Sequence, residues 1–333
     1  METEKNENIP EICLLNKENW QEMLGDITGQ CAVVAENALE MLAIYDKKRA
    51  YIIKKSNFDL NEYNNLLKFV FSGGIRKIGH DVKKIYTLLM SAGINFTDFE
   101  FDTALGAYLL DSTAGNYSLE KTALAYLHRQ LPSESIFING DGLSQDAEND
   151  KEKVISRHAC AISDLYDKLL PDLEKADMHK LYFTLELPLC RVLAEMEHVG
   201  MKVDSGMLQR FSTELSEKIE RTQATIYLLA GEEFNVNSTK KLGEILFERL
   251  GLPPVKKTKS GYSTDIEVLE KLKDKHPIIR QVIEYRQLTK LRSTYCEGLL
   301  KVIGKDGRIH SKFNMMVTAT GSARLSQISK IYL

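Results

Sequence analysis

The chain has 333 residues, room for about two domains, and its 43% hydrophobic and 27% charged residues match ordinary globular proteins. No apolar run reaches the roughly 18 residues that a membrane span needs, and the polar, acidic N-terminus does not resemble a signal peptide. The five cysteines form no CxxC pair, which argues against a zinc site and a disulfide framework. These features predict a cytoplasmic protein with no membrane partner.

The net charge of −3 conceals an asymmetry along the chain. Residues 1–175 contain 19 Lys and Arg against 28 Asp and Glu, whereas residues 231–312 contain 17 against 11. A polyanionic partner would therefore be held by the C-terminal half. The alternative is an unevenly charged surface that is simply solvated.

The N-terminal half reads as a mixed α/β layer. After a short helix at 16–24, three β-like stretches at 31–36, 41–46 and 49–54 are separated by turn-like polar residues. Helix and strand then alternate, with helices at 62–71, about 80–90 and 103–110 and strands at 75–79 and 99–101. Three antiparallel-type strands followed by this alternation predict a mixed sheet covered by helices.

The C-terminal half is predicted to be almost entirely helical. The polar stretch 133–150 reads as a mobile loop, and helical periodicity begins near residue 151. Long helices follow at 181–198 and 205–230, with a turn at Gly200 between them. Asn237 and Ser238 resemble a helix cap before 241–250, and a basic loop at 255–265 precedes helices at 266–272 and 278–302.

Several blocks of the sequence resemble one family. LELPLCRVLAEMEHVGMKVD (185–204), FNVNSTKKLGEILFERLGLP (234–253), KKTKSGYSTDIEVLEKL (256–272) and YRQLTKLRSTYCEGLL (285–300) resemble the thumb of family A DNA polymerases, the bacterial DNA polymerase I group. FNMMVTATG (313–321) is similar to the strand that enters the palm of that family. The N-terminal half, with KIGHDVKKIYTLL (77–89) and FDTALGAYLLD (101–111), resembles its 3′–5′ exonuclease-type domain.

This resemblance implies a fold and a set of boundaries. Residues 1–175 would form an α/β, ribonuclease H-like 3′–5′ exonuclease-type domain, and residues 176–312 a mostly α-helical thumb. Residues 313–333 would be the start of a truncated palm, with the rest of the palm and the fingers absent. Ser322 and Ala323 interrupt the family's T-G-R-L-S pattern, which suggests a disrupted or prematurely ended reading frame.

The resemblance also predicts that the exonuclease-type domain is inactive. An active member holds two divalent metals with about four carboxylates. Matching the family's spacing puts four residues at those positions, of which one is acidic: Glu36, Ile85, Val154 and His158. Neither His80 nor His158 has a ligand-spaced companion, so no metal site is predicted. An active nuclease that uses relocated carboxylates such as Glu36 and Asp81 remains an alternative.

The thumb-like half supplies candidate DNA contacts, because lysines and hydroxyls in loops match phosphate oxygens. The basic loop contributes Lys256, Lys257, Thr258, Lys259, Ser263 and Thr264. Arg286 and Lys290 project from one helix face at i, i+4 spacing, and the family's equivalents face the primer strand. Arg324 matches a family arginine that reads the minor groove. The alternative for the loop is a solvated, lysine-rich turn.

The predicted function is that of a portion of a DNA-directed DNA polymerase, which adds deoxynucleotides to a primer 3′-OH in replication and repair. The partner would be primer–template DNA, and the chain is expected to be a monomer. Deoxynucleoside triphosphates and Mg²⁺ would be bound only by the complete enzyme, so this chain alone is expected to be inactive. The alternative is a standalone, non-catalytic DNA-binding module, which sequence beyond residue 333 would distinguish.

Overall fold

The computed structural model describes residues 10–25, 27, 29–73, 75–132, 145–258, 261–318 and 324–325. Among these residues, those up to Val199 and the segment that begins at Ser311 form one compact unit, unit 1, and Gly200–His310 form a second, unit 2. None of the helices in the described part of the chain combines the length and apolarity that a bilayer crossing requires.

Unit 1 contains a six-stranded sheet whose strands are β1 (Glu11–Leu15), β2 (Gln30–Glu36), β3 (Met41–Tyr45), β4 (Arg49–Lys54), β5 (Arg76–Gly79) and β6 (Phe101–Asp102). Their order is β1-β4-β3-β2-β5-β6. Strand β3 pairs antiparallel with β2 and β4, while β5 and β6 extend the sheet in parallel from β2. The predicted mixed sheet is confirmed. Strand β1 was missed because it is a sheet edge with one fully buried residue, Leu15.

The helices of unit 1 are α1 (Trp20–Gly25), α2 (Leu60–Ser72), α3 (Val82–Ser91), α4 (Thr103–Leu110), α5 (Leu119–Leu127), α6 (Gln145–Lys175), α7 (His179–Leu181) and α8 (Leu187–Val199). A π-helical turn over Tyr182–Glu186 joins the last two. The loop predicted over 133–150 is wrong at its end, because α6 already begins at Gln145. Residues 133–144 lie outside the described residues.

Helix α8 accounts for a difference between the compact units and the predicted domain boundaries. Its buried residues Cys190, Leu193 and Ala194 belong to the same apolar core as the sheet and as α3, against which α8 packs. The division between units therefore falls at 199/200 rather than at 175/176. It falls again at 310/311 rather than at 312/313, because Met315 is buried in the core of unit 1.

Unit 2 has its own apolar core, built mainly where α9 (Ser205–Ala230) packs on α12 (Pro277–Lys290). Its other helices are α10 (Thr239–Gly243), α11 (Ile266–Leu272) and α13 (Gly298–Val302), with π-helical turns over Glu244–Arg249 and Leu291–Glu297. The Ser238 side chain accepts the backbone N–H of Lys241, which confirms the predicted cap. Gly200 has a φ of 64°, in the left-handed region that favours glycine, so the predicted turn is confirmed.

Three two-stranded pairings complete the described structure. In unit 2, β7 (Met201–Lys202) pairs with β10 (Arg308–Ile309), and β8 (Lys257–Thr258) pairs with β9 (Gly261–Tyr262). In unit 1, β11 (Phe313–Asn314) pairs with β12 (Arg324–Leu325). The β8/β9 hairpin lies within the basic loop predicted over 255–265.

Candidate nucleic-acid interface and exonuclease-like cleft

A cavity of about 750 Å³ opens in unit 1 beside the end of β2 and one face of α3. Glu36, Ile85 and His158, three of the four residues matched to the exonuclease positions, line its wall together. The fourth, Val154, is buried on α6 one turn before His158. The fold therefore assembles a cleft where the sequence placed the exonuclease-type site.

Three of the four matched positions carry no carboxylate. Ile85 and Val154 are apolar and buried, and the buried His158 donates its Nε2–H to the Pro132 carbonyl at 3.0 Å. Glu36 contributes the one carboxylate of the four positions. Within the described ranges, no three His, Cys, Asp or Glu side chains are grouped as metal ligands.

Asp102, which was not among the site residues predicted from the sequence, holds the backbone at the cleft through hydrogen bonds. Its carboxylate accepts the N–H groups of Asp81 and Val82, at 3.0 and 2.8 Å, and those of Ala104 and Leu105, at 2.9 and 3.3 Å. One side chain thereby caps both α3 and α4. Burial raises its pKa to about 7, with a further contribution from the nearby Asp81 carboxylate. The signal was present, since an Asp-Thr pair before an apolar helix is a capping pattern.

His80 directly follows β5, and both of its ring nitrogens form hydrogen bonds. Nε2 lies 2.9 Å from the Tyr117 carbonyl and Nδ1 lies 2.8 Å from the Thr103 hydroxyl. A carbonyl only accepts, so Nε2 carries the proton. Burial lowers the pKa of His80 to about 4. His80 is thus a neutral imidazole that is held by two hydrogen bonds.

A buried ion pair closes the cleft on the side of α8. The Lys83 ammonium lies 2.5 Å from Glu197 Oε1, and the side chains are 15% and 9% exposed. The same oxygen accepts the backbone N–H of Phe313 at 2.7 Å. Glu197 thus attaches both α3 and the segment that begins at Ser311 to α8, and Met315 of that segment lines the cavity.

In unit 2, the candidate DNA-binding residues of the basic loop fall into two groups. Lys256 is exposed, and its ammonium lies 3.7 Å from Asp265 Oδ2. The backbones of Lys257 and Thr258 form β8, and Lys259 lies outside the described residues. Ser263 and Thr264 are buried instead, 7% and 4% exposed. Ser263 donates its hydroxyl to Asp265 at 2.7 Å.

The two candidate DNA-binding cations of α12, Arg286 and Lys290, also differ in their surroundings. Lys290 is exposed, whereas Arg286 is half-buried and donates to the Thr264 carbonyl and, at 3.1 Å, to the Thr264 hydroxyl. Burial lowers the pKa of the Arg286 guanidinium. Arg324 is described in its backbone, which belongs to β12 and pairs with Asn314 of β11. The DNA contacts of these residues stay predictions.

Family comparisons agree with this architecture. Residues 34–165 match the family model described as DNA polymerase I, ribonuclease H-like domain, and residues 205–329 match DNA polymerase family A. Among solved structures, the chain is similar to the POL domain of Pol1 from M. smegmatis in complex with DNA primer-template and dNTP. That match has a TM-score of 0.77 and 32% identity, and it covers 95% of this chain and 55% of the other.

Sequence relatives point to the same group. The chain is 40% identical over 282 residues to DNA polymerase I of Bacillus subtilis, covering 84% of this chain and 32% of the relative. It is 40% identical over 255 residues to DNA polymerase I of Geobacillus stearothermophilus, covering 76% and 29%. The chain thus spans about a third of the length of these relatives. Two domain matches in the family's order, on a matching fold, place this chain in the family A DNA polymerases, as a DNA polymerase I fragment.

Proposed function

We propose that this chain is the exonuclease-like and thumb portion of a DNA polymerase I and that unit 2, as the thumb, holds primer–template duplex. The observation that carries the proposal is the exposure of two of the predicted DNA-contacting cations on unit 2, Lys256 beside the β8/β9 hairpin and Lys290 on α12. Exposed ammonium groups neutralise phosphates and release counterions, a source of affinity that does not depend on base sequence. The similarity to a polymerase solved with primer-template supports the same partner.

The exonuclease-like domain, in this proposal, is a scaffold without metal chemistry. A two-metal site holds its Mg²⁺ ions through carboxylate oxygens that lie about 2.1 Å from each metal. Ile85 and Val154 offer none, and His158 already donates to a carbonyl. The residues present do not fit a two-metal site, so no hydrolytic step is assigned to the cleft.

Residues 1–333 by themselves are proposed to bind a primer–template as a monomer without extending it. Nucleotidyl transfer requires a pair of metal-binding aspartates and cations that hold the triphosphate. In the family A DNA polymerases, which the chain resembles, those groups belong to the palm and the fingers. Mg²⁺ and deoxynucleoside triphosphates are therefore assigned to a complete polymerase rather than to these residues.

The binding proposal is tested by fluorescence anisotropy with a labelled primer–template at 50–200 mM salt. The triple variant K257A/K259A/K290A should weaken binding and lower the salt slope by about 0.9 for each phosphate that is no longer neutralised. Its matched control, K17A/K48A/K68A, removes the same charge from exposed lysines of unit 1 and should change neither quantity. Equal effects of the two triple variants would contradict the thumb assignment.

Two activity assays complete the test. Primer extension with Mg²⁺ and all four deoxynucleoside triphosphates should give no product, and single-stranded DNA should survive Mg²⁺ or Mn²⁺. Metal-dependent digestion that E36Q abolishes would instead establish a nuclease with relocated carboxylates.

Coding sequence for a palm and fingers after residue 333 would favour a polymerase portion, and unrelated sequence would favour a standalone DNA-binding module.

A further inference from the structure

Arg286 is enclosed in unit 2 in a way that a direct phosphate contact does not explain. Its guanidinium donates to both the backbone carbonyl and the side-chain hydroxyl of Thr264, 22 positions earlier in the chain. Burial lowers the pKa of this guanidinium, with no opposing contribution from a carboxylate. Among the described residues, its polar contacts are to neutral oxygens at the base of the β8/β9 hairpin.

Several contacts of residues 262–264 fix the base of that hairpin. The Ser263 N–H donates to the Lys256 carbonyl at 2.9 Å, which closes the hairpin. The Tyr262 ring packs on Phe247 with 4.9 Å between ring centroids. A Cβ added at Gly243 would lie 3.9 Å from the Thr264 methyl group, so α10 lies directly against this point.

We infer that Arg286 is a positioning residue, which fastens the lysine-bearing β8/β9 hairpin to α12, rather than a residue that contacts DNA phosphate. The planar guanidinium suits this task because its parallel N–H groups reach two acceptors of one residue at once. A lysine at this position would offer a single point charge on a flexible stem. Lys256, exposed at the base of the hairpin and held at a set distance from α12, then contacts phosphate. This role in DNA binding rests on the proposed function, whereas the fastening does not.

The fastening is tested by hydrogen exchange of the hairpin amides at residues 261–264 in the free protein. R286A and R286K should both speed that exchange about tenfold, the effect of losing one charge-assisted hydrogen bond. T264V, which removes only the hydroxyl acceptor, should give a smaller increase and should add little to R286A. The matched control R280A removes an exposed arginine from the same helix and should leave the hairpin exchange unchanged. Unchanged hairpin exchange in both R286K and T264V would overturn the inference.

The salt dependence of DNA binding distinguishes a positioning role of Arg286 from a direct contact with phosphate. R286K should weaken binding to primer–template without altering the salt slope, while K290A should lower the slope by about 0.9. R286A should leave the slope unchanged as well. A slope lowered by about 0.9 in R286A would mean that Arg286 contacts a phosphate and would overturn the inference. If the wild-type protein binds no duplex, the proposed function fails, and the exchange measurement still decides whether Arg286 holds the hairpin.

Discussion

The two compact units differ in whether they bury ion pairs. Unit 1 encloses two of its described ion pairs, Lys83–Glu197 and Lys54–Glu152, whose side chains are between 9% and 15% exposed, while others such as Lys47–Asp167 are 51% and 52% exposed. Ion pairs of unit 2, such as Arg280–Asp274 and Arg249–Glu232, have side chains that are between 37% and 74% exposed. The two enclosed pairs of unit 1 therefore support its fold, whereas the ion pairs of unit 2 named here remain accessible to solvent, which screens them and leaves them weak.

Side chains at the cleft of unit 1 are also used within the fold. At three of the four positions matched to the exonuclease site, the chain has buried side chains that are apolar or hydrogen-bonded. Asp102, a carboxylate that is buried at the cleft, uses its lone pairs on the ends of two helices. This carboxylate therefore organises the backbone around the cleft.

The largest effect on stability is expected from removal of the buried Glu197 carboxylate. E197A leaves the Lys83 ammonium buried without its partner and the Phe313 N–H without its acceptor. We expect the free energy of unfolding of unit 1 to fall by about 3–5 kcal/mol. Urea unfolding monitored by circular dichroism measures it. The control E195A, on the exposed side of α8, should cost under about 1 kcal/mol. A similar decrease in both variants would show that the pair is not specifically stabilising.

The second prediction concerns how the stability of unit 1 depends on pH. Burial lowers the pKa of His80 to about 4, whereas an unfolded imidazole titrates near 6.5. Between these values the unfolded chain binds a proton that folded unit 1 does not, so stability falls as pH decreases from about 6.5 to about 4. The full contribution is about 3 kcal/mol, from roughly 1.4 kcal/mol per pKa unit.

The His80 contribution is isolated by comparing wild type with H80Q. Asp102, whose raised pKa acts in the opposite direction over the same range, is retained in both proteins. Urea unfolding at several pH values should show the stability advantage of wild type shrinking below pH 6.5. An advantage that is constant from pH 4 to pH 8 would mean that His80 does not stay neutral in the fold.

The smallest expected effect belongs to the surface of unit 2. Arg280 and Asp274 lie 2.6 Å apart, yet their side chains are 66% and 74% exposed. R280A should change the free energy of unfolding by under about 1 kcal/mol because solvent screens such a pair. Thermal unfolding in low and high salt measures it. A destabilisation comparable to that of E197A would remove the distinction between the two units.

Part of the architecture follows from local patterns. The antiparallel strands of unit 1, the Ser238 cap and the turn at Gly200 were predictable because each depends on neighbouring residues. Strand β1 was not, since an edge strand with one fully buried residue lacks the alternation that marks a strand. The start of α6 was missed because its polar first turns resemble a loop.

The sequence by itself determined the family, the order of the elements, the charge asymmetry and the residue types at the exonuclease positions, since all of these are properties of the chain. Tertiary structure alone decided how individual polar groups are used. It brought Asp102 to two helix ends and Arg286 to Thr264, while Lys290 remained exposed. Such roles depend on partners that are distant along the chain, and on burial, which spacing does not encode.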